Sequence, residues 1–374
     1  MKPYKDALHE LDVFINENIL YYSKNRNYDY GPSKRDNVSM LSKYITHRII
    51  SEYDIISHAL SKKSYTSIEK YIQEVFWRVY WKGWLEHRPS VWDDYYNFNQ
   101  NNCDLEKIKN AENSNTDIDC FNYWMEELKN KNYLHNHARM WFASIWIFTL
   151  KLPWQLGANL FMKYLLDGDA ASNTLSWRWV AGLQTIGKHY VASSENIYKY
   201  TNKTFRPMNL NEHADPIHSK KIYDIEDLKY SSCNPLNNTL IIFDNNLDFM
   251  NNKKLLENYK NINLMILDND NRKIKLSDNV LSFKHSLVSE YAKGISNSRL
   301  ISSDQLLNDI KEGKEFDVLY PAVGENLTYL KKLKFDKEPN YICNHNDIFC
   351  WQYAKKGFFN FKKNIPIIIK KIMP

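Results

Sequence analysis

Between Tyr133 and Gly182 the sequence sets an arginine, two aspartates, an asparagine and spaced tryptophans in a stretch that is otherwise apolar enough to be buried. The arginine is Arg139, and the two aspartates, Asp167 and Asp169, lie in a DGD turn. Charged side chains are rarely buried unless they are paired, so this density of polar groups predicts a large bound ligand. The tryptophans suggest that the ligand does electronic work.

The spacing of Asn136, Arg139 and Met140 places all three on one face of a helix. Arg139 precedes an apolar run and therefore needs an acidic partner, for which Asp167 and Asp169 are the candidates. An Arg–Asp pair beside a flavin would stabilise negative charge on the reduced ring. The alternative is a structural ion pair that ties two helices together.

Glu74, Trp77 and Arg78 are also spaced to share one side of a helix. A carboxylate beside an indole can hold a planar heterocycle, with the indole stacked on its face. The other interpretation makes Trp77 a core residue and pairs Glu74 with Arg78. Taken alone, these three residues favour that second interpretation, because such ion pairs are common on helices.

Three further tryptophans do not follow simple helical packing. Trp177 and Trp179 are two positions apart, so they point in different directions and can serve different roles. Trp154 lies upstream of both. An aromatic core is the usual explanation of any single one of them.

Composition excludes several classes of protein. The 374 residues carry a net charge of +6, which suits a phosphate backbone without requiring one, and 14% of them are aromatic. The five cysteines are scattered with no CxxC pair, which supports neither a zinc site nor a disulfide framework and favours a reducing compartment. The most apolar segment is broken by Lys151 and Pro153. Together with the lack of a signal peptide, this predicts a cytoplasmic protein with no membrane partner.

Periodicity divides the chain into two parts. Helical patterns dominate the first part, at 44–60, 68–85, 118–128, 136–150 and 156–166. A polar, proline-containing stretch predicts a linker at 209–238. Beyond it, apolar branched runs at 239–244, 262–268 and 316–322 alternate with helical patterns at 253–259, 287–296 and 303–311, which is typical of a small parallel α/β domain. No GxGxxG follows these strands, so the usual dinucleotide motif is absent.

The joint occurrence of these blocks resembles one known family. The pattern LHNHARMWFAS…W…LLDGDAASNTLSWRWVAG resembles the FAD-binding domain of the DNA photolyase/cryptochrome family. NVSMLS at 37–42 resembles the family's flavin-phosphate loop, and EVFWRVYWKGW resembles its Glu-x-x-Trp-Arg helix. The resemblance covers roughly residues 20 to 200, with all three blocks in the family's order.

The resemblance implies a mostly α-helical domain of photolyase type at 1–208 that binds FAD, followed by a Rossmann-like domain with a parallel sheet at 239–374. It assigns cofactor contacts by position. The FAD phosphates would contact the loop at 37–42 and its neighbours, and the isoalloxazine ring would contact the polar residues of the 133–182 segment. The implied cofactor-binding residues are Ser39, Leu41, Ser42, Tyr71, Arg78, Arg139, Asp167, Asp169 and Asn173.

The same comparison implies roles in chemistry. Asn173 matches the residue that faces flavin N5, and Trp177 followed by Trp154 match the first two members of the electron chain that photoreduces the flavin. The outermost member has no clear match, and Trp92 or Tyr96 could take its place. The implied substrate pocket matches that of enzymes that repair cyclobutane pyrimidine dimers and comprises Glu74, Trp77, Asn136, Met140 and Trp179. Stacking walls and hydrogen-bond partners are what a flipped-out dimer needs.

Three departures from the family pattern stand out. His137 occupies the position of an arginine that contacts DNA phosphate, and Val38 replaces the threonine of the phosphate loop. The α/β domain follows the flavin domain, whereas in the family it comes first. LIIFDNNLDFMNNKKLL and GFFNFKKNIP weakly resemble the two ends of the family's antenna domain, which suggests a circular permutation. An unrelated α/β module is the alternative, and the presence of an antenna chromophore stays open.

The leading functional prediction is therefore a light-dependent lyase that splits cyclobutane pyrimidine dimers in UV-damaged DNA, double- or single-stranded, as a monomer. Glu74, Asn136, Asn173, Trp177 and Trp154 would carry the reaction, with no metal. The alternative is a cryptochrome-like blue-light photoreceptor without repair activity, which the exchange at His137 favours. A nucleic-acid-binding module that has lost its flavin is a third candidate.

Overall fold

The computed structural model describes residues 2–101, 103–185, 187–229 and 233–373. Helices fill the chain up to Tyr200, and a parallel sheet flanked by helices begins at Thr239. This order confirms the fold class expected from the sequence. Among the described residues, no helix is both long and apolar enough to cross a membrane.

The helices of the first part vary from short turns to the 22-residue α5. They are α1 (Lys2–Glu17), α2 (Tyr22–Asn25), α3 (Ser42–Thr46), α4 (Glu52–Lys62), α5 (Tyr65–Glu86), α6 (Pro89–Tyr96), α7 (Leu105–Glu112), α8 (Asp119–Lys131), α9 (Asn136–Ser144), α10 (Trp154–Tyr164), α11 (Ala170–Ala181) and α12 (Ser194–Tyr200).

Local chemistry sets the ends of the helices that form the site. The pattern at 44–60 is two helices, because Ser51 and Asp54 form a capping box that starts α4 anew. The pattern at 136–150 is also divided, since α9 continues as a π-helical turn at Ile145–Thr149. Asp169 caps α11 by accepting a hydrogen bond from the backbone N–H of Ser172.

The second part is a five-stranded parallel sheet in the order β3-β2-β1-β4-β5. Its strands are β1 (Thr239–Phe243), β2 (Asn261–Met265), β3 (Ser298–Ile301), β4 (Asp317–Leu319) and β5 (Asn340–Ile342). Its helices are α13 (Phe249–Leu256), α14 (Asp278–Ala292), α15 (Ser303–Lys311), α16 (Glu325–Leu330), α17 (His345–Trp351), α18 (Phe358–Lys362) and α19 (Ile365–Ile372). The sequence missed the edge strands β3 and β5, which are short and partly exposed.

One face of the sheet shares a core with the helical part. Leu240 and Ile242 of β1 belong to the same buried cluster as the helices, whereas Ile241 and Phe243 belong to a separate cluster on the other face. This alternation follows from the two-residue period of a strand. The predicted linker, 209–238, has no helix or strand among its described residues and runs against the helical part. The domain boundaries themselves stay a prediction.

α5 makes the closest contact between the two parts at Gly83. A β-carbon placed there would lie 2.6 Å from Trp351 Cδ1 and 2.9 Å from the β-carbon of Ala354. Gly83 therefore allows α17 to pack directly on the backbone of α5.

We expect Gly83→Ala to lower the free energy of unfolding by about 1–3 kcal/mol, because the added methyl overpacks a filled contact. Urea unfolding followed by circular dichroism measures the change. Gly357→Ala is the matched control, since its φ of −66° suits alanine and nothing lies within 4 Å of the added carbon. Equal stability of the two variants would contradict the packing role of Gly83.

Candidate functional site

An ion pair between the half-buried Arg139 and the buried Asp167 lies at the centre of the candidate site. Arg139 Nη2 donates to both carboxylate oxygens of Asp167, at 3.0 and 2.9 Å, and its Nε donates to the carbonyl of Leu134 at 2.9 Å. Burial alone would raise the pKa of the Asp167 carboxyl, but Arg139 and a hydrogen bond from Ser42 hold that pKa below its usual value. The pair is therefore ionised, and the partner that the sequence predicted for Arg139 is Asp167.

The loop before α3 lies beside this pair. Ser42 begins α3 and hydrogen-bonds Asp167 with its side chain, and Leu41 is buried. Met40 has a φ of +53°, so the chain turns sharply between Ser39 and Leu41. Tyr71 of α5 is buried, which raises the pKa of its phenol to about 12, and Ser39 hydrogen-bonds it.

Arg78 is a half-buried cation with no carboxylate within 4 Å among the described residues. Its Nη1 donates to Thr46 Oγ1 at 2.9 Å, and that hydroxyl donates to the carbonyl of Asp167 at 3.1 Å. Burial raises the pKa of Asp169, but the charges of Lys82 and Arg78 and a hydrogen bond from Ser172 lower it by more, so this pKa lies below its usual value. A guanidinium without a carboxylate partner is suited to an anionic ligand such as a phosphate.

Several polar side chains of α11 are buried. Asn173 is buried, and its side-chain amide donates to the carbonyl of Ala158 at 2.9 Å. In the part of the chain that the structure describes, Thr174 Oγ1 and Trp177 Nε1 are buried without a hydrogen-bond partner. Unsatisfied buried groups are rare in proteins, so a ligand is a reasonable account of them.

These residues fit FAD. The hydroxyls of Ser39 and Ser42 and the guanidinium of Arg78 suit a diphosphate. The Arg139–Asp167 pair and the amide of Asn173 suit the polar edge of an isoalloxazine.

Aromatic rings continue outward from α11. Trp177 packs edge-on against Phe161, with ring centroids 5.1 Å apart, and a β-carbon on Gly157 would lie 2.2 Å from its ring. Only glycine at 157 therefore leaves room for this indole. Trp154, on the same helix as Gly157, stacks on Tyr95 at 5.5 Å.

Tyr95 is a residue that the sequence reasoning missed. Its ring lies 5.4 Å from that of Trp92, which stacks on Tyr96 at 5.6 Å. All three rings are buried. Trp92 and Tyr96, the two residues suggested as outermost electron donors, therefore belong to one group of rings. Tyr95 connects that group to Trp154. Only the spacing of aromatics along α6 could have indicated this from the sequence.

The predicted substrate-facing residues lie on α5, α9 and α11, and α11 packs against both other helices. Glu74 pairs with Lys70 at 2.7 Å and with Arg26 at 3.6 Å, so the suggested pair with Arg78 is wrong. Asn136 is exposed and Met140 half-buried at the start of α9. Trp179 is half-buried and stacks on Tyr190 at 5.8 Å.

Trp77 has a neighbour that the sequence did not reveal. Its half-buried indole stacks on Phe358 of α18, with centroids 3.7 Å apart and planes 13° apart. Trp81 lies 5.0 Å away on the helix. The C-terminal part of the chain thus supports the residue predicted to form one wall of a substrate pocket.

His137 is buried and does not present a charge at the surface. It stacks on Trp141 at 4.2 Å, and its Nδ1 lies 2.9 Å from the carbonyl of Asn27. Burial lowers the pKa of the imidazole to about 4, so the ring is neutral near pH 7. It cannot replace the phosphate-binding charge of an arginine.

A second feature lies where the two parts of the chain meet. A polar cavity of about 80 Å³ is found at the carboxyl ends of β1 and β4, and among its lining residues are Glu86, Asp169, Asp244 and Tyr320. That volume suits a few water molecules and not a flavin. Glu86 accepts hydrogen bonds from the Tyr320 hydroxyl and from the backbone N–H of Val323, both at 2.7 Å.

Comparison with known proteins agrees with this geometry. Residues 71–219 match the family model of the FAD binding domain of DNA photolyase. The deoxyribodipyrimidine photo-lyase of Streptomyces griseus is 30% identical over 152 residues, which cover 40% of this chain and 33% of that protein. The enzyme of the same name from Buchnera aphidicola (subsp. Baizongia pistaciae) is 28% identical over 203 residues, or 47% and 41% of the two chains. This chain thus spans about a third to two fifths of the length of these relatives.

Two solved structures are similar to about half of the chain. A bacterial class III photolyase from Agrobacterium tumefaciens is 26% identical with a TM-score of 0.44, covering 53% of this chain and 42% of that one. A cryptochrome from Synechocystis sp. PCC6803 is 20% identical with a TM-score of 0.47, covering 53% and 43%.

The family match identifies residues 71–219 as similar to the FAD binding domain of DNA photolyase, which supports FAD as the cofactor. Over these residues the chain is similar to the photolyase/cryptochrome family.

The pKa of Glu86 supplies a prediction about pH. Burial raises this pKa from 4.5 to about 7 despite the two hydrogen bonds. The folded protein therefore binds more protons than the unfolded chain between those values, and the contribution of Glu86 to stability is lost as pH rises through about 7.

We expect Glu86→Gln to be less sensitive to pH, because an amide keeps a hydrogen-bonding group without the buried charge. Its stability relative to the unaltered protein should rise by roughly 2–3 kcal/mol between pH 5 and pH 8. Chemical unfolding across this pH series measures the difference. Glu69→Gln, at a half-buried glutamate of the same helix, is the control. A difference that does not vary with pH would refute the assignment.

Proposed function

We propose that this protein repairs cyclobutane pyrimidine dimers in DNA by light-driven electron transfer. The observation that carries the proposal is the arrangement of α11. Asn173 and Trp177 lie buried on this helix, which begins three residues after Asp167, and Trp179 is less buried two positions on. α5, with Glu74 and Trp77, packs against the same helix. The relatives named deoxyribodipyrimidine photo-lyase support the same function.

In the proposed reaction, bound FAD supplies the light-excited electron that splits the dimer. The chain provides the surroundings of that transfer. Arg139 holds a positive charge that Asp167 and the carbonyl of Leu134 fix in orientation, and this charge stabilises negative charge developing nearby. Burial of the surrounding side chains excludes water from the site.

The proposed substrate contacts follow from side-chain chemistry. Trp77 and Trp179 offer flat apolar faces to the paired pyrimidine rings. The Glu74 carboxylate accepts hydrogen bonds from ring N–H groups, and the Asn136 amide can both donate and accept. Glu74 is partly neutralised by Lys70 and Arg26, so a dimer would have to share or displace these partners.

Electron supply to the site is proposed to pass through Trp154 to Trp177. Tyr95 and Trp92 extend the path, because each successive pair of rings from Trp154 to Trp92 has centroids within about 5.5 Å. A series of close, buried aromatic rings allows short electron-transfer steps.

A cryptochrome-like photoreceptor is the second candidate, and the burial of His137 is the observation that favours it. A neutral imidazole in place of an arginine removes one phosphate contact, and duplex DNA is bound mainly through such contacts. Light-driven flavin reduction is expected of both candidates, so DNA repair is the property that separates them.

The direct test uses the photoreduced protein with oligonucleotides that contain one dimer, single- or double-stranded. We expect blue light to restore intact pyrimidines and darkness to leave the dimer unchanged, because the reaction needs an excited electron donor. Chromatography of the digested strand measures the yield. Flavin photoreduction without restoration on either substrate would refute repair and support the photoreceptor.

We expect Trp177→Phe to slow the light-driven reduction of the flavin while repair by chemically reduced protein is nearly unchanged, because phenylalanine is much harder to oxidise than tryptophan. Visible absorbance of the flavin follows the first reaction. Trp124→Phe is the matched control, since Trp124 is equally buried and stacks on Trp141 outside this path. Equal loss of both activities in Trp177→Phe would contradict the role given to Trp177.

A further inference from the structure

The C-terminal segment has an unusual charge. Residues 351–374 contain six lysines and no aspartate or glutamate. The segment includes α18, which lies along α5 beside Trp77. A basic segment next to the proposed substrate site raises the question of what its outer face contacts.

α18 is two-sided. Inward, Phe358 stacks on Trp77, and Phe361 is buried against Phe76 and Tyr80 with centroids 6.0 and 5.7 Å apart. The Tyr80 hydroxyl also donates to the carbonyl of Lys356 at 3.0 Å. These contacts fix the position of α18 on α5.

The outer face of α18 is basic and carries one exposed aromatic ring. It comprises Lys356, Phe359, Asn360 and Lys363, all exposed, and we call it the α18 surface. Phe359 is 80% exposed. Phe359 and Lys363 are four residues apart along the helical turn, and Lys356 lies in the extended stretch that leads into it. An exposed phenylalanine is unfavourable in water unless a partner covers it.

The lysines in and around α18 differ in whether they have an acidic partner. Lys362 lies 3.7 Å from Glu69, and Lys355 lies 3.0 Å from Asp227. By contrast, Lys356 and Lys363 have no carboxylate within 4 Å among residues that the structure describes. The two ammonium groups are thus available to an anionic partner.

We propose that the α18 surface binds the nucleic-acid strand beside the damaged site, with Lys356 and Lys363 on phosphates and Phe359 against an unstacked base. This rests on the proposed function for the choice of partner. Lysines alternating with an exposed aromatic ring match the chemistry of a nucleic-acid strand. The stack of Phe358 on Trp77 places α18 next to the proposed pocket, and the two lysines supply positive charge that the neutral His137 does not.

The test measures DNA binding in the dark, so that it does not depend on repair. The variant Lys356→Gln/Lys363→Gln is titrated with a dimer-containing duplex and with the undamaged duplex over a series of salt concentrations. Lys253→Gln/Lys254→Gln on α13 is the control, since it removes the same charge from another exposed pair. Thermal unfolding checks that both variants are folded.

We expect the α18 variant to reduce the slope of log affinity against log salt by about 1.8, the value for two phosphate contacts on a duplex. Affinity for both duplexes should fall by a similar factor, because phosphate contacts do not read the lesion. The control should retain the slope of the unaltered protein. Phe359→Ala should weaken binding roughly fivefold or more with the salt slope unchanged, because a stacked ring carries no charge.

An unchanged slope in the α18 variant, or an equal reduction in the control, would overturn the inference. Loss of binding to anionic phospholipid vesicles without any loss of DNA binding would also overturn it and assign the surface to a membrane. The failure of the proposed function is distinguishable from the failure of this inference. The expected salt slopes without any light-dependent repair would refute repair alone. Repair with an unchanged slope in the α18 variant would refute only the role of the α18 surface.

Discussion

The candidate site depends on the ion pair between Arg139 and Asp167. The buried Asp167 carboxylate needs a well-aligned cation, and one nitrogen of the half-buried Arg139 meets both of its oxygens while another meets the carbonyl of Leu134. The pair fixes the start of α9 relative to the turn before α11. Once these are fixed, Asn173 and Trp177 have defined positions as well. Removing either charge would leave the other unpaired in the interior, so the site and the fold of this region are not separable.

α5 connects that ion pair to the rest of the molecule because its sides contact different partners. Arg78 reaches Thr46, whose hydroxyl binds the carbonyl of Asp167. Trp77 and Gly83 of the same helix pack against α18 and α17, respectively. The α/β part therefore supports the helix from which the proposed site is built. This arrangement gives a physical reason for a shared core between the two parts, since α5 could not keep both sets of contacts if they moved apart.

The sequence was informative where chemistry and spacing agree. The partner of Arg139 could be predicted because a buried charge demands an opposite one, and the strands β1, β2 and β4 because buried parallel strands are continuous apolar runs. The edge strands β3 and β5 could not, since exposure removes that signal. Phe358 could not be connected with Trp77 either, because spacing rules apply within one helix or strand and not between distant segments. Only packing in three dimensions brings α18 onto α5.

The aromatic path from Trp154 raises the question of where it ends. Trp92 and Tyr96 stack on each other, but the ammonium groups of Lys273 and Lys332 lie 5.4 and 5.2 Å from the centroid of the Tyr96 ring. A ring that gives up an electron becomes positively charged, and two nearby cations oppose that charge. Trp92 precedes Tyr96 on the path and is easier to oxidise than a tyrosine that keeps its proton. The electrostatics therefore favour Trp92 over Tyr96 as the last member of the proposed electron chain.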